Sequence, residues 1–311
     1  MRRYRQLSYK TEKIWFDGKF VNWDEAKVHV LVHGLHYGSG VFEGIRCYKT
    51  YKGPAVFRLK DHIERFYNSA KIYFMKIRYS KEEIIDAIAN LIKLNGLEEC
   101  YIRPIAFRGL GGFSLDPRNN SLHVAVAVWP WGEYLGEGVR ERGVRCTISS
   151  WIRVNNNMIP MMAKATGQYI NSSLACMEAH LKGFDEAIML DSRGYVSEGT
   201  GENIFIVKDK VLYTPSTNSS ILLGITRDSV IRIAEDMGFK VVEKDISKEE
   251  LFLADELFFT GTAAEITPVV EVDHRSIGDG RVGPVTKSLQ EKFFKIVRGL
   301  DNNYSKWLYF I

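Results

Sequence analysis

The first clear pattern is a pair of short apolar runs, Ile14-Trp15-Phe16 and Lys19-Phe20-Val21, on either side of Asp17-Gly18. That dipeptide suits a two-residue hairpin turn, since both residues tolerate positive φ. The apolar stretch from Val28 to Val32, followed by Gly34, reads as a strand and turn. Ile63, Phe66, Ala70 and Tyr73 then recur at three- and four-residue spacing, which predicts a helix over 59–74. Ser80 with Glu83 forms a capping box that opens a second helix, ending near Gly96. Strands are predicted at 100–107 and 122–128. The segment 131–139, with Pro130 before it and Gly132, Gly136 and Gly138 within it, reads as a linker. Beyond it the pattern predicts a strand at 144–150 and a helix at 166–181 stopped by Gly183. Short strands follow at 186–190, 203–207 and 211–213. A helix over 226–237 is stopped by Gly238, Ser247 and Glu250 form another capping box, and a last helix follows Pro284 and runs to Gly299. Strands and helices mix in both halves, so the fold class is α/β of the α+β type, in two layered domains: 1–130, the linker 131–139, and 140–311.

Composition narrows the function. The chain has 311 residues, 45% hydrophobic and 26% charged, as in ordinary globular proteins. A net charge of +4, spread along the chain, does not suggest nucleic acid. The basic start, Met1-Arg2-Arg3-Tyr4-Arg5, has no apolar stretch after it and is expected to be neither signal nor anchor. Cys47, Cys100, Cys146 and Cys176 lie far apart with no CxxC pair, which argues against a disulfide framework or a zinc site and for a reducing cytoplasm.

Two glycine motifs mislead. Gly278-Asp-Gly280-Arg-Val-Gly283 fits GxGxxG, but polar residues precede it where a dinucleotide fold needs a strand. Gly109-Leu-Gly111-Gly112 lacks the Lys-Ser or Lys-Thr of a phosphate loop. His29, His33 and His36 do not share one strand face, and no carboxylates complete a metal site near them.

Four segments carry chemistry. Lys164 sits among small and apolar residues, a setting that lowers a lysine pKa and frees the amine for Schiff-base chemistry. Glu198 lies between Ser197 and Gly199-Thr-Gly201, where a turn could offer its carboxylate to a ring nitrogen. Gly224-Ile225-Thr226 opens a helix with Thr226 as a suitable N-cap, and a helix start binds anions. Thr260-Gly261-Thr262-Ala263-Ala264 follows a strand and offers hydroxyls and amides. A phosphate cradle, a lysine and an acid for a ring nitrogen together suit pyridoxal 5′-phosphate.

The motifs Leu35-His-Tyr37-Gly-Ser-Gly-Val-Phe42-Glu-Gly44-Ile-Arg46, Tyr101-Ile-Arg103-Pro104, Ala163-Lys164, Ser197-Glu198-Gly-Thr-Gly-Glu-Asn203, Gly224-Ile-Thr226-Arg227 and Gly261-Thr-Ala-Ala-Glu-Ile-Thr-Pro268 carry a resemblance. From Ile14 to about Val297 the chain resembles the branched-chain aminotransferases of the class IV (fold type IV) pyridoxal-phosphate family. The resemblance implies a smaller N-terminal and a larger C-terminal domain with the active site between them. It implies transamination of L-leucine, L-isoleucine and L-valine with 2-oxoglutarate by ping-pong kinetics.

Lys164 looks like the Schiff-base lysine, Glu198 like the partner of the pyridine nitrogen, and Tyr169 like the partner of the cofactor's phenolic oxygen. Arg58 would hold the phosphate with Gly224, Ile225, Thr226, Gly261 and Thr262. Phe42, Gly44, Trp131, Phe113 and Leu115 would line the substrate side chain, the last two from a neighbouring subunit of at least a dimer, which a hexamer would also satisfy. Tyr37, Arg103 and Tyr134 would form a polar edge, and Thr262, Ala263 and Tyr101 would hold the α-carboxylate. The loop Arg108-Gly-Leu-Gly-Gly-Phe113-Ser114 differs among relatives at the residues bordering the side-chain pocket, which leaves the preference among leucine, isoleucine, valine and aromatic donors open. D-amino acid transaminase and aminodeoxychorismate lyase are the alternatives within the fold, and a non-catalytic cofactor-binding protein the alternative outside catalysis.

Overall fold

A computed structural model describes residues 10–132, 135 and 138–311. The chain divides into a smaller unit, Met1–Gly132 with Lys306–Ile311, and a larger one, Glu133–Ser305. The first unit runs β1 (Lys13–Phe16), β2 (Lys19–Asn22), α1 (His33–Tyr37), β3 (Gly40–Phe42), β4 (Ile45–Thr50), β5 (Gly53–Phe57), α2 (Leu59–Ile72), α3 (Lys81–Leu94), β6 (Cys100–Arg108) and β7 (Leu122–Trp129). These strands form one sheet, with β6 central between β7 on one side and β3 and β4 on the other. Asp17 and Gly18 take φ of 48° and 90°, the turn their side chains permit. Ser80 and Glu83 cap α3 reciprocally.

Two expectations fail here. Residues 28–32 are not a strand: Val28, Val30 and Leu31 are exposed, and the apolar run leads instead into α1, closed by Gly38 in the left-handed conformation. The chain's end does not belong with 140–311. Its last strand, Leu308–Phe310, pairs with β5, and Trp307 O accepts the Arg58 amide at 2.7 Å. Three apolar residues at a chain end carry too little pattern to announce an edge strand.

The second unit contains α4 (Val139–Arg142), β8 (Val144–Ile148), α5 (Tyr169–Leu181), β9 (Glu186–Leu190), β10 (Val196–Gly199), β11 (Asn203–Lys208), β12 (Val211–Pro215), α6 (Ile225–Asp236), β13 (Val241–Lys244), α7 (Lys248–Phe252), β14 (Glu256–Gly261), β15 (Glu265–Val272), β16 (Arg275–Ser276) and α8 (Pro284–Val297). Its sheet is mixed: β8 lies parallel to β9 and β15, while β14 is antiparallel to β11 and β15. The helix start that follows the glycine-rich turn before α8 is occupied from within the chain. Glu256 already receives the first amides of that helix, from Val285 at 2.9 Å and Thr286 at 2.7 Å, and a Cβ on Gly283 would collide with its carboxylate.

Candidate active site

In the second unit, Lys164 lies just before a single 3-10 turn, Thr166–Gln168, that leads into α5. Tyr169, the first residue of α5, sits five positions on, and Lys164 Nζ donates to its hydroxyl at 2.6 Å. Both side chains are half-buried. Gln168 fixes the approach by donating to Ala163 O at 2.9 Å.

Glu198 is not in a turn, as its glycine neighbours suggest, but on β10, and it is 3% exposed. The turn comes after it, at 200–202. Its Oε1 lies 2.6 Å from Arg153 Nη2, and its Oε2 accepts from Asn203 Nδ2 at 2.9 Å and Leu222 N at 3.1 Å. Burial pushes the Glu198 carboxyl above its usual range. The Arg153 charge, the Leu222 amide and the Lys164 charge each pull against that rise.

Asn203 and Arg153 are site residues that sequence reasoning missed. Asn203 Nδ2 also donates to Leu222 O at 2.9 Å, so one amide ties Glu198 to the chain entering α6. A Cβ on Gly224 would stand 2.0 Å from Asn203 Oδ1, which is why glycine precedes that helix. Gly224, not Thr226, is the N-cap, with no side-chain cap, so the first amides of the twelve-residue α6 are offered to a ligand. Asn203 pairs with Thr260 across β11 and β14, which brings Gly261 next to Gly201 and Glu202. Arg153 is buried and its Nη1 donates to Ser172 Oγ of α5 at 2.8 Å. The Asn203 role had a signal in the Glu198-to-Asn203 motif. Arg153 had none.

Behind Glu198 lie two further buried carboxyls, Glu186 and Glu202. Burial raises both, and the Glu186 charge raises Glu202 further. A raised carboxyl keeps its proton in the folded protein at a pH where the unfolded chain has lost it. Its contribution is therefore most favourable below the unfolded value, near 4.3, and fades as pH rises toward the folded one. Glu202→Gln, which retains an oxygen for the Gly201 amide now accepted at 3.0 Å, should raise the melting temperature above neutrality. The gain should shrink toward pH 4. Melting curves across that range test it, and a gain that grows in acid would refute it.

The other sequence-implied residues fall in the first unit. Tyr101 and Arg103 project from one face of β6, with Phe42 of the antiparallel β3. The Arg103 guanidinium lies 4.7 Å from the Phe42 ring centre, 5.4 Å from that of Tyr101 and 5.9 Å from that of Trp129. Its Nε is buried without a hydrogen-bond partner, and among the described residues it has no carboxylate partner. The Trp131 ring lies tilted against that of Tyr101, with centroids 4.7 Å apart. A Cβ on Gly44 would overlap the Tyr101 hydroxyl, so only glycine fits there. Tyr37 is half-exposed on α1, and Phe113 and Leu115 are 56% and 80% exposed. Arg58, in the left-handed conformation before α2, forks onto Asp61 at 2.7 and 3.0 Å and lies over Trp307. Tyr134 lies outside the described residues. The three histidines serve backbone and hydroxyl partners: His33 bonds Ser39 Oγ and Ser114 O, His36 bonds Val30 O, and His29 accepts from the Leu31 amide.

Residues 40–272 match the family model for amino-transferase class IV. This chain belongs to the class IV aminotransferases. The branched-chain-amino-acid aminotransferase of Escherichia coli (strain K12) is 49% identical over 300 residues, covering 96% of this chain and 97% of that protein. A solved T.th. branched-chain amino acid aminotransferase, complexed with N-(5′-phosphopyridoxyl)-L-glutamate, superposes with a TM-score of 0.93 at 49% identity, covering 97% of this chain and 99% of that one. The same T.th. enzyme complexed with 4-methylvaleric acid gives 0.93 at 48% identity over the same shares. The α+β architecture is accordingly the fold type IV one. As in any class IV aminotransferase, the cofactor is pyridoxal 5′-phosphate, and the groups gathered in the second unit fit it. They comprise an amine hydrogen-bonded to a phenol, a buried carboxylate held by an arginine, a helix start without a side-chain cap, and the buried Thr260 hydroxyl, which has no partner among the described residues.

Proposed function

We propose that this chain is a branched-chain-amino-acid aminotransferase, exchanging amino groups between L-leucine, L-isoleucine or L-valine and 2-oxoglutarate. When bound, pyridoxal 5′-phosphate supplies an aldehyde that captures amines and a ring that draws electrons from the substrate's Cα–H bond. Lys164 Nζ would hold the cofactor, then take the proton from that carbon and deliver it to the carbon that carried the aldehyde, the shift that transfers the amino group. Tyr169 Oη, already bonded to Nζ, orients the phenolic side of the ring. Glu198 keeps the ring nitrogen protonated, and Arg153 and Asn203 keep Glu198 in place. The amides of Ile225 and Thr226 would take phosphate oxygens with Gly224 and the Gly261-Thr262 turn. Thr262 and Ala263 receive the α-carboxylate.

The observation that carries the substrate reading is Arg103. A guanidinium laid among aromatic rings with no carboxylate partner among the described residues can face two kinds of side chain. The rings of Phe42 and Tyr101 accept a branched aliphatic chain, and the fork accepts the distal carboxylate of glutamate or 2-oxoglutarate. The exposed Phe113 and Leu115 support assembly as at least a homodimer, where a partner would cover them. No helix among the described residues is long and apolar enough to cross a membrane. The four cysteines, none in a disulfide, suit a cytoplasmic setting.

The test is single-turnover conversion of the cofactor, with leucine on the aldehyde form and 2-oxoglutarate on the amine form. Wild-type protein should complete both. Arg103→Leu should lose about 10- to 150-fold with 2-oxoglutarate, the loss of a charge-assisted contact of about 1.5–3 kcal/mol. The leucine half-reaction should change far less. Equal losses would remove Arg103 from substrate recognition.

A further inference from the structure

In the first unit, β3 and β4 face β6 in a single antiparallel register, with Phe42 opposite Ile105 and Ile45 opposite Ile102. The residues between them, Glu43 and Gly44, therefore stand opposite Pro104 and Arg103. Proline has no N–H, so only one of the two backbone bonds of that pair can form, from Glu43 N to Pro104 O at 2.9 Å. The ladder has a gap beside Phe42.

Alternation puts Phe42 and Gly44 on the face that carries Tyr101 and Arg103, and puts Glu43 on the opposite one with Ile45, Cys47 and Ile102. Those three neighbours are completely buried, and so is Glu43. Helix α2 supplies its partners. Arg65 Nε donates to Oε1 at 2.6 Å and Arg65 Nη2 to Oε2 at 2.9 Å, while His62 Nδ1 lies 2.8 Å from Oε2. The Gly44 amide also points at Oε2, at 3.3 Å. Burial pushes the Glu43 carboxyl up, but the Arg65 charge and the bonds from His62 and Arg65 outweigh it and hold it well below the usual carboxylate range.

A buried ion pair of this kind stabilises a fold no better than well-packed apolar residues would. What it supplies is geometry. A two-pronged fork cannot slide, so it ties α2 to the chain at the gap that Pro104 leaves. Phe42 on one side of that tie is the ring beneath the Arg103 guanidinium, and Gly44 on the other lies under the Tyr101 hydroxyl.

We infer that Glu43 is a positioning residue for dicarboxylate recognition: held by Arg65 and His62, it fixes Phe42 and Gly44, and through them the Arg103 guanidinium. This rests on the reading of Arg103 as partner of the distal carboxylate. Calorimetric binding to the holoenzyme of glutarate and of 4-methylvalerate, a dicarboxylate and an apolar acid, tests it. Glu43→Gln should weaken glutarate about tenfold through misplacement of the fork, and leave 4-methylvalerate within about threefold. Thermal unfolding of the same samples reports any general loss of structure, which would weaken both acids together. Equal weakening, or an unchanged ratio of affinities, overturns the proposal. If the single variant does not fold, Glu43→Gln with Arg65→Gln removes both buried charges, and the same loss of ratio is expected. A wild-type ratio there also overturns it. Arg103→Leu separates the two levels. If it abolishes the preference for glutarate while the Glu43 variants retain it, only the positioning role fails. If Arg103→Leu itself keeps that preference, the reading of Arg103 fails and the positioning role with it.

Discussion

Lys164→Ala is expected to fold and to lose steady transamination by about a thousandfold or more. The fold should survive because Lys164 is half-buried and its bond to the Tyr169 hydroxyl is one neighbouring contact. Losing such a bond costs about 0.5–1.5 kcal/mol. Activity should not survive, because in the proposed mechanism the same Nζ atom holds the cofactor and moves the Cα proton. Tyr169 cannot substitute, because a phenol does not capture an aldehyde as an amine does. The check is steady-state turnover of leucine with 2-oxoglutarate, beside a melting curve. Near wild-type turnover would remove Lys164 from the chemistry.

What the sequence made legible was local. Asp17-Gly18, the Ser80 and Ser247 capping boxes and Pro284 each act within a few residues, and the hairpin and helices form where they point. The Lys164, Glu198 and Gly224 segments were legible because glycines and small residues crowd around each. Partnerships across the fold were not. Arg153 reaches Glu198 from a distant part of the sequence, and nothing in either segment announces the pair. Glu43 stands out in the sequence only as one residue of a motif, and only the register against Pro104 and the approach of α2 reveal a buried fork. The apolar run before His33 misled because Val28, Val30 and Leu31 face outward and Val32 alone is buried, so the run carried no alternation of a strand.

Glu198→Gln should cut turnover by about 10- to 150-fold, the equivalent of the roughly 1.5–3 kcal/mol that a hydrogen bond to a charged group is worth. It should also destabilise the protein, and hydrogen-bond roles explain why. Arg153 Nη2, Asn203 Nδ2 and the Leu222 amide are all donors, and together they occupy both oxygens of the carboxylate. A glutamine has one oxygen. Whichever way its amide turns, an NH2 group faces a donor. If the NH2 faces Arg153, a buried cation is left unpaired, a loss of about 3–5 kcal/mol. The pH dependence separates this role from a purely structural one. Burial raises the Glu198 carboxyl, so in acid it is among the first site carboxyls to take up a proton, and the wild-type rate should fall as that happens. Glutamine does not titrate. The variant should therefore be slow at every pH but lack this acid limb of the kcat profile. A variant that kept both the wild-type rate and its acid limb would show that another residue tunes the ring nitrogen.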